Sequence, residues 1–262
     1  MTLFLHELKR SRLPLTIWSA AISFMLAVCI VIFPEMSKEM GEYTTNMFSD
    51  LGTFSEAFNL DKLDFSRFMD YFGIECANVL GLGGAFFAAL GGISMLSKEQ
   101  KDNTADFLLT HPISRTSVVT QKLLALFTEV FILNAVVFAV SYVAIVIIGE
   151  QVKMTTLILI FLSFLILQLE IASVTFSISA FLKGNGIGIG LGLALMLYFF
   201  NIIANITEGT EFLRYVTPYA YADSAYIIKN SAIEIKYLII GAIITIAAVI
   251  TAFTKYRKKD IC

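Results

Sequence analysis

The chain has 262 residues, of which 57% are hydrophobic and 15% are charged, and its formal net charge is −2. This composition is far more apolar than that of a water-soluble domain and indicates a membrane protein. The near-neutral charge, without a basic stripe that carries interleaved aromatic residues, argues against nucleic acid as a partner.

Six apolar segments are long enough to cross a bilayer, since a helix rises about 1.5 Å per residue and needs about 20 apolar residues for the hydrocarbon core. The predicted spans are Leu15–Phe33, Ile74–Leu96, Leu123–Ile148, Leu157–Leu182, Ile187–Ile206 and Tyr237–Phe253. The first segment follows Lys9, Arg10 and Arg12, as a cleavable signal would, but it is long and lacks a small-residue cleavage site. We therefore expect it to remain attached as span one.

The distribution of basic residues predicts the orientation, because cytoplasmic loops hold an excess of lysine and arginine. With the N-terminus inside, 12 of the 19 basic residues lie on the cytoplasmic side: Lys9, Arg10, Arg12, Lys98, Lys101, Arg115, Lys122, Lys183, Lys255, Arg257, Lys258 and Lys259. The remaining basic residues fall in the longer outer loops. Both termini are therefore predicted to be cytoplasmic.

The first outer loop, residues 34–72, is acidic and rich in phenylalanine. Its aromatic and aliphatic residues recur at helical spacing, which predicts amphipathic helices on the outer membrane surface. Packing or interfacial anchoring is favoured for these side chains over contact with a substrate.

A second surface helix is predicted on the cytoplasmic side, within residues 97–115. Ser97 and Gln100 have the spacing of a capping box, and Pro112 ends the helix. Ser114 can cap the helix that follows. The region therefore predicts a helix, a sharp break and a helix, with a charged edge offered to a soluble partner.

The segment Lys98–Arg115 resembles a recurrent motif of the ABC type-2 permeases. That motif has a glutamate-rich start, Gly-Thr, an acidic residue, a leucine pair, Pro-[Ile/Val]-[Ser/Thr]-Arg and a lysine that opens the next span. The matching residues are Thr104, Asp106, Leu108, Leu109, Pro112, Ser114, Arg115 and Lys122, whereas Asn103 replaces the usual glycine. The segment Glu7–Arg10 before span one and Thr217–Tyr219 before span six agree with the family in order and spacing.

The resemblance implies the all-α ABC type-2 exporter fold, with two membrane subunits and two ATP-binding subunits. In such a complex the region 97–115 is the coupling helix region, and the outer connection 207–236 folds back partly into the membrane. The residues implied to couple transport to the ATPase are Glu99, Asp102, Thr104, Asp106, Phe107, Leu108, Pro112 and Arg115. The second membrane subunit would be another copy or a related permease.

The chain has no G-x-x-x-x-G-K-[ST] sequence that could cradle phosphates. We therefore expect ATP and Mg²⁺ to be held by a separate ATPase subunit, and no residue of this chain to be catalytic. The three cysteines and two histidines lie far apart, so no metal site is predicted.

Polar side chains inside the spans are candidates for a transport pathway, because ionisable groups at membrane depth are expensive and often functional. These candidates are Glu170, Gln168, Glu129, Asn134 and Asn201. For Glu170 the competing interpretation is a protonated or hydrogen-bonded structural residue, and the asparagines could equally join helices. Glycine-rich stretches in spans two and five favour close helix contact, with dimerisation through span five implied by the resemblance.

Three other functions compete with export. A secondary transporter or channel would be supported by an inverted repeat, and a membrane-embedded enzyme by clustered reactive residues, and the sequence offers neither. A non-transporting membrane anchor stays open. The favoured function is export of an amphipathic substrate across a bacterial cell membrane. A membrane-active peptide is preferred over a lipid-linked glycan, by family habit and because the spans hold few polar residues.

Overall fold

The computed structural model describes residues 2–40, 57, 66–98, 114–207 and 209–258. All regular structure in these ranges is helical, and six helices are long and apolar enough to cross a membrane. The predicted fold class, a polytopic all-α membrane protein with six spans, is thereby confirmed. The helices are an N-terminal helix Thr2–Arg10, span one Arg12–Met40, span two Phe68–Glu75 continued by Cys76–Leu82 and Gly83–Met95, span three Arg115–Ile148, span four Met154–Ser179, span five Ile187–Ile206 and span six Ile235–Arg257.

The helix boundaries differ from the predicted ones at the first outer loop. Span one continues through Pro34 to Met40, and span two begins at Phe68, so helices enter the predicted loop 34–72 from both sides. Phe68 and Phe72 are buried, and the Phe68 ring lies edge-on to that of Phe33 with centroids 5.2 Å apart. The amphipathic helices predicted elsewhere in this loop lie outside the described residues, apart from Ala57.

Span four also ends earlier than predicted, at Ser179 instead of Leu182. The backbone N–H groups of Ala180, Phe181 and Leu182 donate to carbonyls three residues earlier, so the last turn tightens. Span three ends at Ile148, as predicted, and is capped by Gly149, whose φ of 77° is a left-handed conformation that glycine adopts without steric cost.

Span two contains a π-helical segment, Cys76–Leu82, between its two α-helical parts. In a π turn the backbone hydrogen bonds reach one residue further than in an α-helix, and such segments are frequent at functional sites. Two carbonyl groups of this segment, those of Leu80 and Gly81, accept hydrogen bonds from side chains of other elements. The segment is therefore tied into the core by its backbone.

Spans two and four form the centre of the bundle, and small residues of span two let them approach. A side chain at Gly84 would overlap the amide of Gln168, and one at Gly92 would meet the backbone carbonyl of Ala172. Glycine at these positions therefore allows backbone-to-side-chain and backbone-to-backbone contact. Spans one, five and six lie at the periphery and expose apolar side chains, as lipid-facing helices do: Phe24, Val31, Phe199, Ile203, Ile243 and Ile250 are examples.

Candidate functional site

Two of the predicted pathway residues meet in the core between spans two, three and four. The Asn134 side-chain amide donates to Gln168 Oε1 at 2.6 Å and to the carbonyl of Val130 at 2.9 Å. Gln168 Nε2 in turn donates to the carbonyl of Leu80 in the π segment at 3.3 Å. Both side chains are buried. The pair is therefore a polar bridge that joins three helices, and its role in transport stays a prediction.

Glu170 lies on span four, and the connection between spans five and six supplies its partner. The Tyr221 hydroxyl donates to Glu170 Oε2 at 2.8 Å, and Gly241 of span six leaves the room that the carboxyl group fills. Burial raises the pKa of the Tyr221 hydroxyl well above its ordinary value, and the neighbouring Glu170 raises it further, so the phenol stays a donor. No residue of the outer connection 207–236 was among the pathway candidates predicted from the sequence.

Asn201 faces a small cavity between span five and the connection that follows it. The cavity has a volume of about 60 Å³ and is also lined by Asn78, Asn205 and Tyr219. This volume holds a few water molecules and is far below the roughly 300–1,000 Å³ of a typical ligand pocket. In this conformation the cavity is therefore too small for an amphipathic substrate.

The connection 207–234 is inserted between the helices by two tyrosines. It consists of two 3₁₀ turns, Glu211–Tyr215 and Pro218–Ala220, and a helix Ser224–Asn230. The buried Tyr219 hydroxyl donates to the carbonyl of Gly81 in span two at 3.2 Å, and Tyr221 reaches span four. The partial return of this connection into the membrane stays a prediction.

A charge cluster of Glu7, Lys98 and Lys122 lies at one end of the bundle. Lys122 Nζ is 3.0 Å from Glu7 Oε1 and donates to the carbonyl of Met95 at 2.7 Å, and Lys98 pairs with Glu7 Oε2. Glu7 and Lys122 are 1% and 0% exposed, so the pair is shielded from water. Burial raises the pKa of the Glu7 carboxyl, but Lys122 and Lys98 lower it by more, and it lies below its ordinary value.

The charge cluster joins the N-terminal helix to both flanks of the predicted coupling segment. Glu7 belongs to that helix and Lys98 follows span two. Lys122 lies about two turns after the start of span three. The backbone N–H of Phe4 adds a contact to Gln121 Oε1 at 3.3 Å. The sequence did not identify Glu7 as a functional residue. Its signals were its place in the segment Glu7–Arg10, which agrees with the family, and its being the single acid before the first span.

Most of the predicted coupling residues lie outside the described part of the chain: Glu99, Asp102, Thr104, Asp106, Phe107, Leu108 and Pro112. Arg115 is described, and its Nη1 donates to the carbonyl of Arg257 at the end of span six at 3.1 Å. The Ser114 hydroxyl accepts a hydrogen bond from the backbone N–H of Ser117 and so caps span three, as predicted. The coupling segment therefore leaves and rejoins the bundle at the end where span six finishes.

Glu129 also lies at this end, where it borders a cavity beside the charge cluster. The predicted pathway residues thus occupy different places along the described bundle. Glu129 is at the end with the charge cluster, Asn134, Gln168 and Glu170 are in the core, and Asn201 is at the connection after span five. The structure joins Asn134 to Gln168 but does not bring the five residues into one site.

The comparison with known families agrees with this architecture. Residues 1–261 match the family described as ABC-2 family transporter protein. No curated protein matches the chain. The match covers the motif segment, the six spans and both ends of the bundle, and it confirms the family predicted from the motif. The chain belongs to the ABC-2 transporter family and is a multi-pass membrane permease of that family.

Proposed function

We propose that the chain is the membrane subunit of an ATP-driven exporter whose ATPase subunit docks at the end of the bundle that carries the charge cluster. The observation that carries this proposal is the position of Glu7, Lys98 and Lys122. They fix the N-terminal helix against both flanks of residues 99–113, the segment with the coupling motif. An ATPase that displaced this segment would therefore also shift spans two and three, because the buried ion pairs connect them to it.

The excess of basic residues at this end supports a cytoplasmic placement, where ATP is present. Two ATPase subunits, each with its own ATP and Mg²⁺, would act on two permease subunits. The exported substrate would be amphipathic, with a membrane-active peptide as the preferred class, in a bacterial plasma membrane. Sensitivity of cells to a panel of such peptides, compared with and without the transporter, tests this substrate class directly.

Reversing two charges in the coupling segment is expected to release the ATPase. Glu99→Lys combined with Asp102→Lys should lower the amount of ATPase that co-purifies with the tagged chain by more than about tenfold. The reason is that losing charge-assisted hydrogen bonds at an interface costs about 1.5–3 kcal/mol for each bond. Co-purification from the native membrane, quantified by immunoblot against the ATPase, measures the effect.

The matched control is Glu211→Lys, an exposed charge reversal in the connection between spans five and six. This variant should retain the ATPase fully, because the connection lies away from the end with the charge cluster. Equal recovery of the ATPase with both charge-reversed variants would contradict the docking proposal. Full transport activity of the chain alone in liposomes would contradict an ATP-driven exporter altogether.

Assembly with a second permease subunit is expected to depend on the open face of span five. No atom lies within 4 Å of a side-chain carbon added at Gly188 or Gly192, so these exposed glycines leave room for another helix. Gly188→Leu should therefore raise the dimer dissociation constant by about tenfold or more without disturbing the fold. Light scattering of the detergent-solubilised protein at several concentrations measures this effect.

The control for bulk is Ala242→Leu, which enlarges an exposed small residue on span six. It should leave the oligomeric state unchanged. A wild-type chain that is monomeric alone and dimeric only with a related permease would indicate a heterodimer. A Gly188→Leu variant that dimerises like the wild type would exclude this face of span five as the contact.

A further inference from the structure

Glu129 holds a buried carboxylate oxygen whose partner is missing among the described groups. Its side chain on span three is 3% exposed, and its Oε1 atom accepts no hydrogen bond. Ser11 hydrogen-bonds to the carboxyl group and Lys98 acts on it electrostatically, but neither supplies a donor to Oε1. A buried carboxylate oxygen without a donor is unfavourable, so the position favours a further donor, and a positively charged one most, from the adjoining space.

The nearby ammonium groups are already engaged by another acid. Glu7 uses Oε1 for Lys122 and Oε2 for Lys98, and Lys122 also donates to the carbonyl of Met95. Lys98 also lines the cavity beside Glu129, but its described ion pair is with Glu7. The two acids and two lysines balance in charge, yet one oxygen of Glu129 remains without a hydrogen-bond donor.

The space beside Glu129 is a cavity of about 220 Å³ with aromatic and polar walls. Trp18 of span one and Phe87 of span two face it, with ring centroids 6.3 Å apart, and Ser11 and Ser94 contribute hydroxyl groups. Aromatic faces attract ammonium groups and also bury apolar chains. The cavity thus combines a carboxylate with surfaces suited to an amphipathic cation.

A second cavity continues the first toward the end of the bundle. It has a volume of about 330 Å³ and shares Ser11, Pro14, Leu90, Ser94 and Lys98 with the first. Its volume alone lies within the range of about 300–1,000 Å³ that is typical of ligand pockets. A ligand could therefore reach Glu129 from the end of the bundle that carries the charge cluster.

We propose that this cavity binds the ammonium group of an amphipathic molecule. Glu129 supplies the counter-charge, and Trp18 and Phe87 contact the apolar part. This inference deepens the proposed function and rests on it in one respect, because it makes the cavity the place where the exporter first takes up a cationic substrate. The binding site itself can be tested on the permease alone, without its ATPase.

Trp18 is the only tryptophan of the chain, so its fluorescence reports on the cavity directly. The full-length protein in maltoside micelles, whose headgroups carry no ammonium, is titrated with a hexylammonium probe that carries a nitroxide quencher, and with the neutral alcohol of the same probe. The cation should quench Trp18 saturably. Glu129→Gln should weaken its apparent affinity by about tenfold, as expected for the loss of one charge-assisted contact. The neutral probe should quench both proteins alike.

Two variants separate a binding role of Glu129 from a structural one. Glu129→Asp keeps the charge and should keep the preference for the cationic over the neutral probe. Glu75→Gln removes the carboxyl group that accepts a hydrogen bond from Cys29, and should leave the titration unchanged. Equal quenching of the wild type by both probes, or full cation affinity in Glu129→Gln, would overturn the proposal.

A lipid headgroup is the other source of an ammonium group at this position. Nanodiscs that contain phosphatidylethanolamine distinguish the sources. Competition with the probe would assign the site to the headgroup, and lack of competition would assign it to a soluble amphipathic amine, with the ammonium site retained in either case. A wild-type chain that co-purifies with no ATPase would refute the proposed function and leave this titration unaffected.

Discussion

Replacing Glu7 by alanine is expected to destabilise the protein by about 3–5 kcal/mol, the usual cost of removing one partner from a buried ion pair. Lys122, which is fully buried, would lose the carboxylate 3.0 Å from its Nζ, and the carbonyl of Met95 cannot replace that counter-charge. Lys98, which is 14% exposed, could turn toward water instead. Equilibrium unfolding in mixed detergent micelles, followed by circular dichroism, measures the loss of stability.

A double variant tests whether an unpaired charge causes this effect. Glu7→Leu with Lys122→Met removes both charges of the buried pair and should restore most of the stability, because apolar replacements of buried ion pairs are often neutral or better. The exposed pair Lys236–Glu234 gives the contrast, since Glu234→Ala should cost less than about 1 kcal/mol. A Glu7→Ala variant as stable as Glu234→Ala would contradict the argument.

The charge cluster also makes the stability of the folded protein depend on pH. The pKa of Glu7 is lower in the folded protein than its ordinary value of 4.5, so the carboxylate form is favoured by folding. Its contribution to stability is therefore complete at neutral pH and is lost as the pH falls below 4.5 and through the folded-state pKa. The difference in stability between wild type and Glu7→Gln should be constant from about pH 6 to pH 8 and shrink in acid.

Replacing Gly92 by alanine is expected to cost about 2–3 kcal/mol, the upper part of the range for overpacked cores. The added carbon would lie 2.6 Å from the carbonyl oxygen of Ala172 and 3.0 Å from the backbone nitrogen of Phe176. Thr175 Oγ1 lies closer still and could rotate away, but these two atoms belong to the backbone of span four and cannot. The whole contact between spans two and four must widen, which the same unfolding measurement detects.

Substitutions of two other glycines serve as controls for Gly92→Ala. Gly91→Ala would meet only the tip of Leu126, 2.8 Å away, and should cost less because that side chain can rotate. Gly188→Ala meets no atom within 4 Å and should be neutral or stabilising, since alanine favours the helix over glycine by up to about 1 kcal/mol. An equal effect at Gly92 and Gly188 would show that backbone crowding is not the cause.

The number and approximate position of the spans could be predicted because they depend on local properties. Apolar length and turn residues mark a span in any bundle, and span five was predicted with the observed bounds, Ile187–Ile206. Ser114 was likewise predicted as a cap, because capping depends on a hydrogen bond to a residue only three positions away. Local signals of this kind do not need the tertiary structure.

The polar contacts could not be predicted because each depends on how distant segments pack. Glu7 and Lys122 come from different helices, and Tyr221 reaches Glu170 from a connection with no regular pattern. The sequence placed Glu170 and Gln168 inside a span, where they are buried, but it indicated neither their partners nor the burial of Glu7. The π segment was missed for a related reason, since Cys76–Leu82 is as apolar and helix-like as its neighbours.

The π segment also changes how the faces of span two must be assigned. It adds one residue to the turn, and a residue in an α-helix accounts for about 100° of rotation. One helical wheel drawn over Phe68–Met95 would therefore misplace one half of the span relative to the other. Phe68–Glu75 and Gly83–Met95 need separate wheels, offset by that angle, before a substitution scan can tell lipid-facing from core positions.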